Sequence, residues 1–326
     1  MTSTSKRQSP RHPDRARARN VQLQERDLAI LKQIVDDRFL TLSHLTALFF
    51  PSEHMAKKRL QKLWNAGYVK REFAPSGFDP GPAIYCLTAQ GRNTLIQQGI
   101  VPPEAMTWHK DRNRGTFPFK QHELEVSDIR VALTVASRTS IDATLCHFGR
   151  GADYYDRVIN REPAKFEQEH IPIRPDGFFI LQMDNGYHNF FLEVDRGTMK
   201  LSRLHTKLKG YKAYYFEGGY WLKYGQGQGR KEDHSFRVLM TCPTEETRNN
   251  RLEVACNARS YTMMWFGVHE DVAKDPFGKV WVRGKEYVDA LKSVPPEEQL
   301  RWAHAKNKRE RDQFIRDHVP LQSIVD

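Results

Sequence analysis

Residues 174–207 read RPDGFFILQMDNGYHNFFLEVDRGTMKLSRLHTK, and the fold follows from how this stretch is laid out. An Asp opens one strand, Asn185-Gly186 has the composition of a two-residue hairpin turn, and a second strand ends in Glu193-Val194-Asp195. A lysine-bearing helix follows. Strand alternation puts Phe191, Glu193 and Asp195 on one face and Phe190, Leu192 and Val194 on the other. Pairing back from the turn sets Asp176 opposite Asp195 and diagonal to Glu193. Three carboxylates on one patch repel unless a cation sits among them, so the patch reads as a divalent-metal site.

Around it lies a chain of 326 residues, enough for two domains with separate cores. A hydrophobic content of 39% beside 28% charged residues is that of a soluble globular protein. No apolar run approaches the roughly 20 residues of a membrane helix, and the basic N-terminus lacks the apolar core of a signal peptide. Cys86, Cys146, Cys242 and Cys256 are isolated, which suits a reduced, cytoplasmic compartment and no membrane partner.

The net charge is +11. Residues 1–19 hold six Lys/Arg against one Asp, and residues 20–100 hold ten against seven acids, so +8 of the +11 falls in the first hundred residues. A basic end of this kind suits a polyanionic partner, most simply nucleic acid.

Residues 1–19 are rich in Ser, Pro and Arg without periodicity and read as a disordered basic arm. Residues 20–100 then carry three helical patterns. Leu28, Leu31, Ile34 and Val35 mark the first, Thr41 caps the second, and Ser52 caps a third whose buried stripe is Ala56, Leu60, Leu63 and Trp64. Residues 68–73 and 84–87 read as the strands of a wing, and Thr88 caps a closing helix that Gly99 ends. The order is that of a winged helix-turn-helix, whose third helix enters the DNA major groove. Lys57, Lys58 and Lys62, with Arg59 near the edge, are the expected contacts. Lysines of this kind give salt-dependent phosphate contacts more than base readout.

Residues 101–120 read as a linker. From residue 121 the pattern runs helix, strand at 144–148, the opening hairpin, helix at 200–216, strand at 235–241, helix from Thr244, and strands at 261–268 and 279–283. That order is α/β (α+β) with a mixed sheet over residues 121–290. Residues 296–315, inside a charged extension at 291–326, read as a helix.

Pro-Asp on one strand and Glu-x-Asp at the end of the next resemble the PD-(D/E)XK nuclease superfamily, a restriction-endonuclease-like fold. The resemblance implies Mg²⁺ or Mn²⁺ held by Asp176 and Glu193 with the Val194 carbonyl between. A third group would position or deprotonate water. Asp195 stands where the superfamily has Lys, so it serves as ligand or base, or the lysine role has moved to Lys207 (or Lys200) on the next helix. His122 and Asp128, on the preceding helix, are accessory candidates for the same cleft. There is no phosphate-cradling glycine loop, no His-x-His pair and no paired Cys/His spacing for zinc.

Both halves together resemble the replication-relaxation family of plasmid and mobile-element proteins. The runs that carry it are QERDLAILKQIVDDRFLTLSHLTALFFPS, KKRLQKLWNAGYVKR and YCLTAQGRNTL, then HELEVSDIRVAL, RPDGFFIL, FFLEVDRGT and KLKGY. By position Asp176, Glu193 and Asp195 form the acidic cluster, and Lys207 and Tyr211 match the K-x-x-x-Y of the following helix. The resemblance implies a bacterial, nucleoid- or plasmid-associated protein whose partners are double-stranded DNA, replication or mobilisation proteins and a second copy in a homodimer. The expected activity is that of a metal-dependent DNA nickase or endonuclease. The alternative is a non-catalytic DNA-binding regulator or replication accessory factor with a degenerate nuclease-like domain.

Overall fold

The computed structural model describes residues 21–75, 81–105, 113, 115–160, 169–230, 234–295 and 308–325. The expected basic arm, the tip of the wing loop and the first part of the expected C-terminal helix lie outside them. The chain divides into two compact units, residues 1–127 and 128–326.

The first unit contains α1 (Glu25–Asp37), β1 (Leu40–Thr41), α2 (Leu42–Phe49), α3 (Glu53–Asn65), β2 (Val69–Glu72), β3 (Ile84–Leu87) and α4 (Ala89–Gln97). The expected caps are in place. Thr41, Ser52 and Thr88 accept from His44, Met55 and Gly91 backbone N–H groups, each satisfying an orphan donor of its helix. Behind α3, Gly67 takes φ +82°, a left-handed angle that lets the chain turn into β2. Ile30, Leu31, Ile34, Leu45, Leu60, Leu63 and Leu95 are buried between the helices. Each such side chain contributes about 1.5–3 kcal/mol by leaving water. The strands form a three-stranded antiparallel sheet in the order β1-β3-β2.

Helix α5 (Phe117–Ser137) starts four residues earlier than its sequence pattern suggests, inside the expected linker. In the first unit, its Phe117 and Leu124 pack against Phe39, Ile84 and Cys86, and that burial extends the helix toward its N-terminus.

The second unit is built on a six-stranded mixed sheet. Its strands are β4 (Ala143–Gly149), β7 (Gly177–Met183), β8 (Gly186–Val194), β9 (Arg237–Cys242), β10 (Met264–Val268) and β11 (Trp281–Arg283), in the order β11-β10-β9-β8-β7-β4. The pairs β8–β9 and β9–β10 are parallel. Parallel neighbours need a crossover, and α6 (Leu201–Phe216) and α8 (Glu245–Asn257) lie in the two connecting segments. Phe178, Phe191, Val238, Met240 and Phe266 on one sheet face join Leu204, Leu208, Tyr211, Tyr214, Leu252 and Ala255 in one buried core.

Residues 150–173, expected to be irregular, contain a second small sheet of β5 (Asp156–Asn160) and β6 (Glu169–Ile173). Ile171 and Ile173 bury against α6, so tertiary contact supplies the order that the polar local sequence does not. Gly210 makes the close approach possible, since a Cβ there would lie 2.7 Å from Ile171 Cγ2. Further helices are α7 (Gly219–Tyr224), α9 (His269–Lys274), α10 (Gly284–Ser293) and α11 (Lys308–His318). Phe314 and Ile315 of α11 complete the core, and Arg311 bonds Asn250 and Glu253 of α8 at 2.7 and 3.1 Å. Among the described residues no helix is long and apolar enough to cross a membrane.

Candidate active site on strand β8 and helix α6

The hairpin register differs from the one read from the sequence. Met183 pairs with Gly186 and Gly177 with Leu192, so Asp184 and Asn185 form the turn. The positive backbone angle falls on Gly186, φ +118°, and not on Asn185. The pairing therefore shifts by two residues. Continued one step beyond Gly177, it brings Asp176 level with Glu193 instead of Asp195. A shift of two preserves the face each side chain points to.

Asp176 is locked to the second strand twice. Its N–H donates to Leu192 O at 3.0 Å, and its Oδ2 accepts from Val194 N at 2.8 Å. These bonds hold the carboxylate at the sheet end, half-buried. Glu193 is buried beside it and is addressed from α6, with Oε2 accepting from Lys207 Nζ and Oε1 from Tyr211 Oη at 2.5 Å. Lys207 and Tyr211 are four apart and share a helix face, which is why both reach one carboxylate. Of the two lysines considered for this role, Lys207 makes the contact. Lys200 is the exposed N-cap residue of the helix.

The electrostatics follow from this packing. Burial pushes the Glu193 carboxyl up to about 7, Lys207 works against that rise, and the Asp176 charge adds to it. Burial alone would lower the Lys207 ammonium, but Glu193 and Asp176 outweigh it and the net movement is upward. Burial, then the neighbouring Glu193 charge, raise the Tyr211 phenol well above its ordinary range, so it remains a proton donor in the hydrogen bond.

Asp195 does not join the pair. It is buried, its Oδ2 meets Arg251 Nε of α8, and its Oδ1 accepts from Gly197 N at 2.9 Å. Arg251 also donates to Met199 O at 3.2 Å. The expected three-carboxylate patch is thus corrected to a pair, because a cation from α8 has taken the third member. Among the described residues no group of three or more His, Cys, Asp or Glu side chains is gathered to hold a metal ion.

Asp128 lies elsewhere. Its carboxylate is 3.3 Å from His269 Nε2, whose Nδ1 is 3.2 Å from Thr241 Oγ1. Thr241 falls between Met240 and Cys242 on β9, both part of the α6-side core, so its side chain points to the opposite sheet face from Glu193. Asp128 is therefore separated from the carboxylate pair by the sheet. His122 belongs to the first unit, on α5, half-buried.

In the first unit Lys57, Lys58 and Lys62 are exposed along α3, with Lys57 paired to Glu53 one turn earlier. Arg59 is corrected from an edge contact to a structural residue. Its guanidinium binds the fully buried Asp27 of α1, with Nε at 2.7 Å from Oδ1, and donates to Gln22 O at 2.9 Å. Sequence periodicity places Arg59 near the rim of the stripe but contains no sign of its partner, 32 residues away.

The two remaining carboxylates suit one hard divalent cation. They are oxygen donors of like charge, adjacent in register, with Asp176 and Lys207 facing partly into solvent so that water can complete a coordination shell. A family model described as replication-relaxation matches residues 31–228, a span reaching from α1 past α7. No curated protein and no solved structure matches the chain.

Proposed function

The chain belongs to the replication-relaxation family, and from that premise we propose that it is a DNA-binding protein of a plasmid or other mobile element that cuts or nicks DNA at Asp176 and Glu193 during replication relaxation or mobilisation. The observation that carries this reading is Lys207. Strand β8 lacks the motif lysine, and Lys207 meets Glu193 from helix α6 instead, a contact that supports reading the three as a carboxylate–carboxylate–lysine constellation.

In this reading Asp176 and Glu193 hold Mg²⁺ or Mn²⁺, which when bound polarises the phosphodiester and acidifies a water. Lys207 places positive charge beside the scissile phosphate and orients water. Tyr211 fixes the Glu193 rotamer from the buried side. Asp195, tied to Arg251, holds the strand end and takes no part in the chemistry. The first unit supplies targeting, with helices α1 to α3, the β1-β3-β2 sheet, the closing helix α4 and the cations of α3 supporting a winged-helix assignment for duplex DNA.

Incubation of supercoiled plasmid with the full chain and Mg²⁺ or Mn²⁺ tests the proposal. Open-circular or linear product is expected, lost in Glu193→Gln and Asp176→Ala, and calorimetry should show Mn²⁺ binding weakened in the same variants. Equal cutting by wild type and both variants would sink it. One observation favours the non-catalytic alternative: both Glu193 oxygens are satisfied within the protein. That reading expects salt-dependent DNA binding and no cleavage with any divalent ion.

A further inference from the structure

The carboxylate pair has a distinctive surface on either side. Toward the start of α6, Lys200, Arg203 and Lys207 recur on one helix stripe at spacings of three and four residues. Lys200 and Arg203 are exposed, and neither side chain has an acidic partner among the described residues. Arg203 lies near enough for its charge to act on Lys207. The first turn of α6 carries no acid to balance them. Cations at this end of a helix oppose its dipole, so the arrangement does not stabilise the helix.

On the other side stands the end of the β5–β6 sheet. Asp156 pairs with Ile173, and one step further Tyr155 and Arg174 are level, with the Arg174 guanidinium 5.9 Å from the Tyr155 ring. Lys223 Nζ donates to the backbone carbonyl of Tyr155 at 2.7 Å, which anchors the main chain there, and the residue is 43% exposed. Asp156 accepts from Tyr214 Oη at 2.7 Å, which places this corner one helical turn past Tyr211. Arg174 is two residues before Asp176.

Followed along α6 and the strands that adjoin it, the sequence of groups is Lys200 and Arg203, then Lys207 with the carboxylate pair, then, through Tyr214 and Asp156, Tyr155 and Arg174. We propose that this surface is a track for a single strand of DNA. Its phosphates lie on Lys200 and Arg203 and a base stacks on Tyr155 beside Arg174, so that one phosphodiester crosses Asp176 and Glu193. The aromatic is what selects a single strand: an unpaired base offers a face for stacking, whereas duplex bases have theirs occupied by neighbours. The placement of the scissile bond rests on the nuclease reading of the pair; the binding track does not.

The test is fluorescence anisotropy of the full chain with labelled oligo(dT) and, in parallel, a duplex of equal length, both in EDTA so that no cleavage intervenes. Lys200→Ala/Arg203→Ala should weaken oligo(dT) binding and reduce its log–log salt slope by about 1.4, as expected for two phosphates on a single strand. Tyr155→Ala should weaken it about ten-fold, and Tyr155→Phe should restore it. Duplex binding should be unchanged, with thermal melting confirming that every variant is folded. Oligo(dT) affinity unchanged in both alanine variants, or duplex affinity falling in parallel, overturns the track. Absence of plasmid cutting by the wild-type chain, with these binding effects present, would count against the nuclease reading alone.

Discussion

Lys207 and Glu193 are fourteen residues apart, one on a helix and one at the end of a strand, and their charged groups meet beside Asp176. The contact turns a hairpin with acidic residues into a site with a cation of its own. Lys207→Met should abolish metal-dependent cutting. It should also lower stability by about 3 kcal/mol, the lower part of the range for breaking a buried pair, because the stranded Glu193 can take up a proton. Urea unfolding beside the plasmid assay checks both. Full activity in Lys207→Met would remove it from the site.

Asp195 and Glu193 should separate cleanly under mutation. Asp195→Asn can keep one of the two accepted hydrogen bonds at the strand end, through its amide oxygen, and should leave cutting measurable at some cost in stability, while Glu193→Gln abolishes it. Arg251→Met strands a buried carboxylate and should destabilise the protein by about 3–5 kcal/mol. Loss of cutting in Asp195→Asn with its melting temperature intact would return Asp195 to the chemistry.

Arg59 and its helix neighbours divide in the same manner. Arg59→Ala leaves Asp27 buried without its partner, and should cost about 3 kcal/mol in urea unfolding. Lys58→Ala and Lys62→Ala should be nearly neutral for stability and reduce the salt dependence of duplex binding by about 0.9 each. The opposite pattern, a stable Arg59 variant with weakened DNA binding, would reverse the assignment.

Three of the four cysteines should react in a definite order. Cys146 is exposed, whereas burial pushes the Cys86 thiol up to about 12 and raises Cys242 above its ordinary range. Because the thiolate is the reacting form, a disulfide reagent at pH 8 should label Cys146 first. Cys86 and Cys242 should react only as the protein unfolds. Mass mapping of the labelled native protein decides this.

Gly210 reports on the β6 contact. Alanine there gains about 1 kcal/mol of helix propensity, but its methyl meets Ile171 at 2.7 Å. Overpacking of this kind costs about 1–3 kcal/mol, so Gly210→Ala should be net destabilising, and Gly210→Ala/Ile171→Ala should recover part of the loss.

Much of this chain was readable from local pattern. The caps at Thr41, Ser52, Thr88 and Thr244, the alternation along β8 and the helical spacing of α6 depend on residues near one another in sequence. Local backbone chemistry acts over that range. The β5–β6 sheet was not readable, because its order comes from burying Ile171 and Ile173 under α6.

The sequence by itself determined that Glu193 and Asp195 share a face, that Asp176 begins the neighbouring strand, and that a helix with lysines follows. Strand period and helix period are properties of the backbone. The tertiary structure decided which carboxylates remain a pair, through the Met183–Gly186 closure of the hairpin, the arrival of Lys207 from α6 and the capture of Asp195 by Arg251. The last two are contacts across 14 and 56 residues. Charges brought together over such separations are chosen by packing, and no local pattern records the choice.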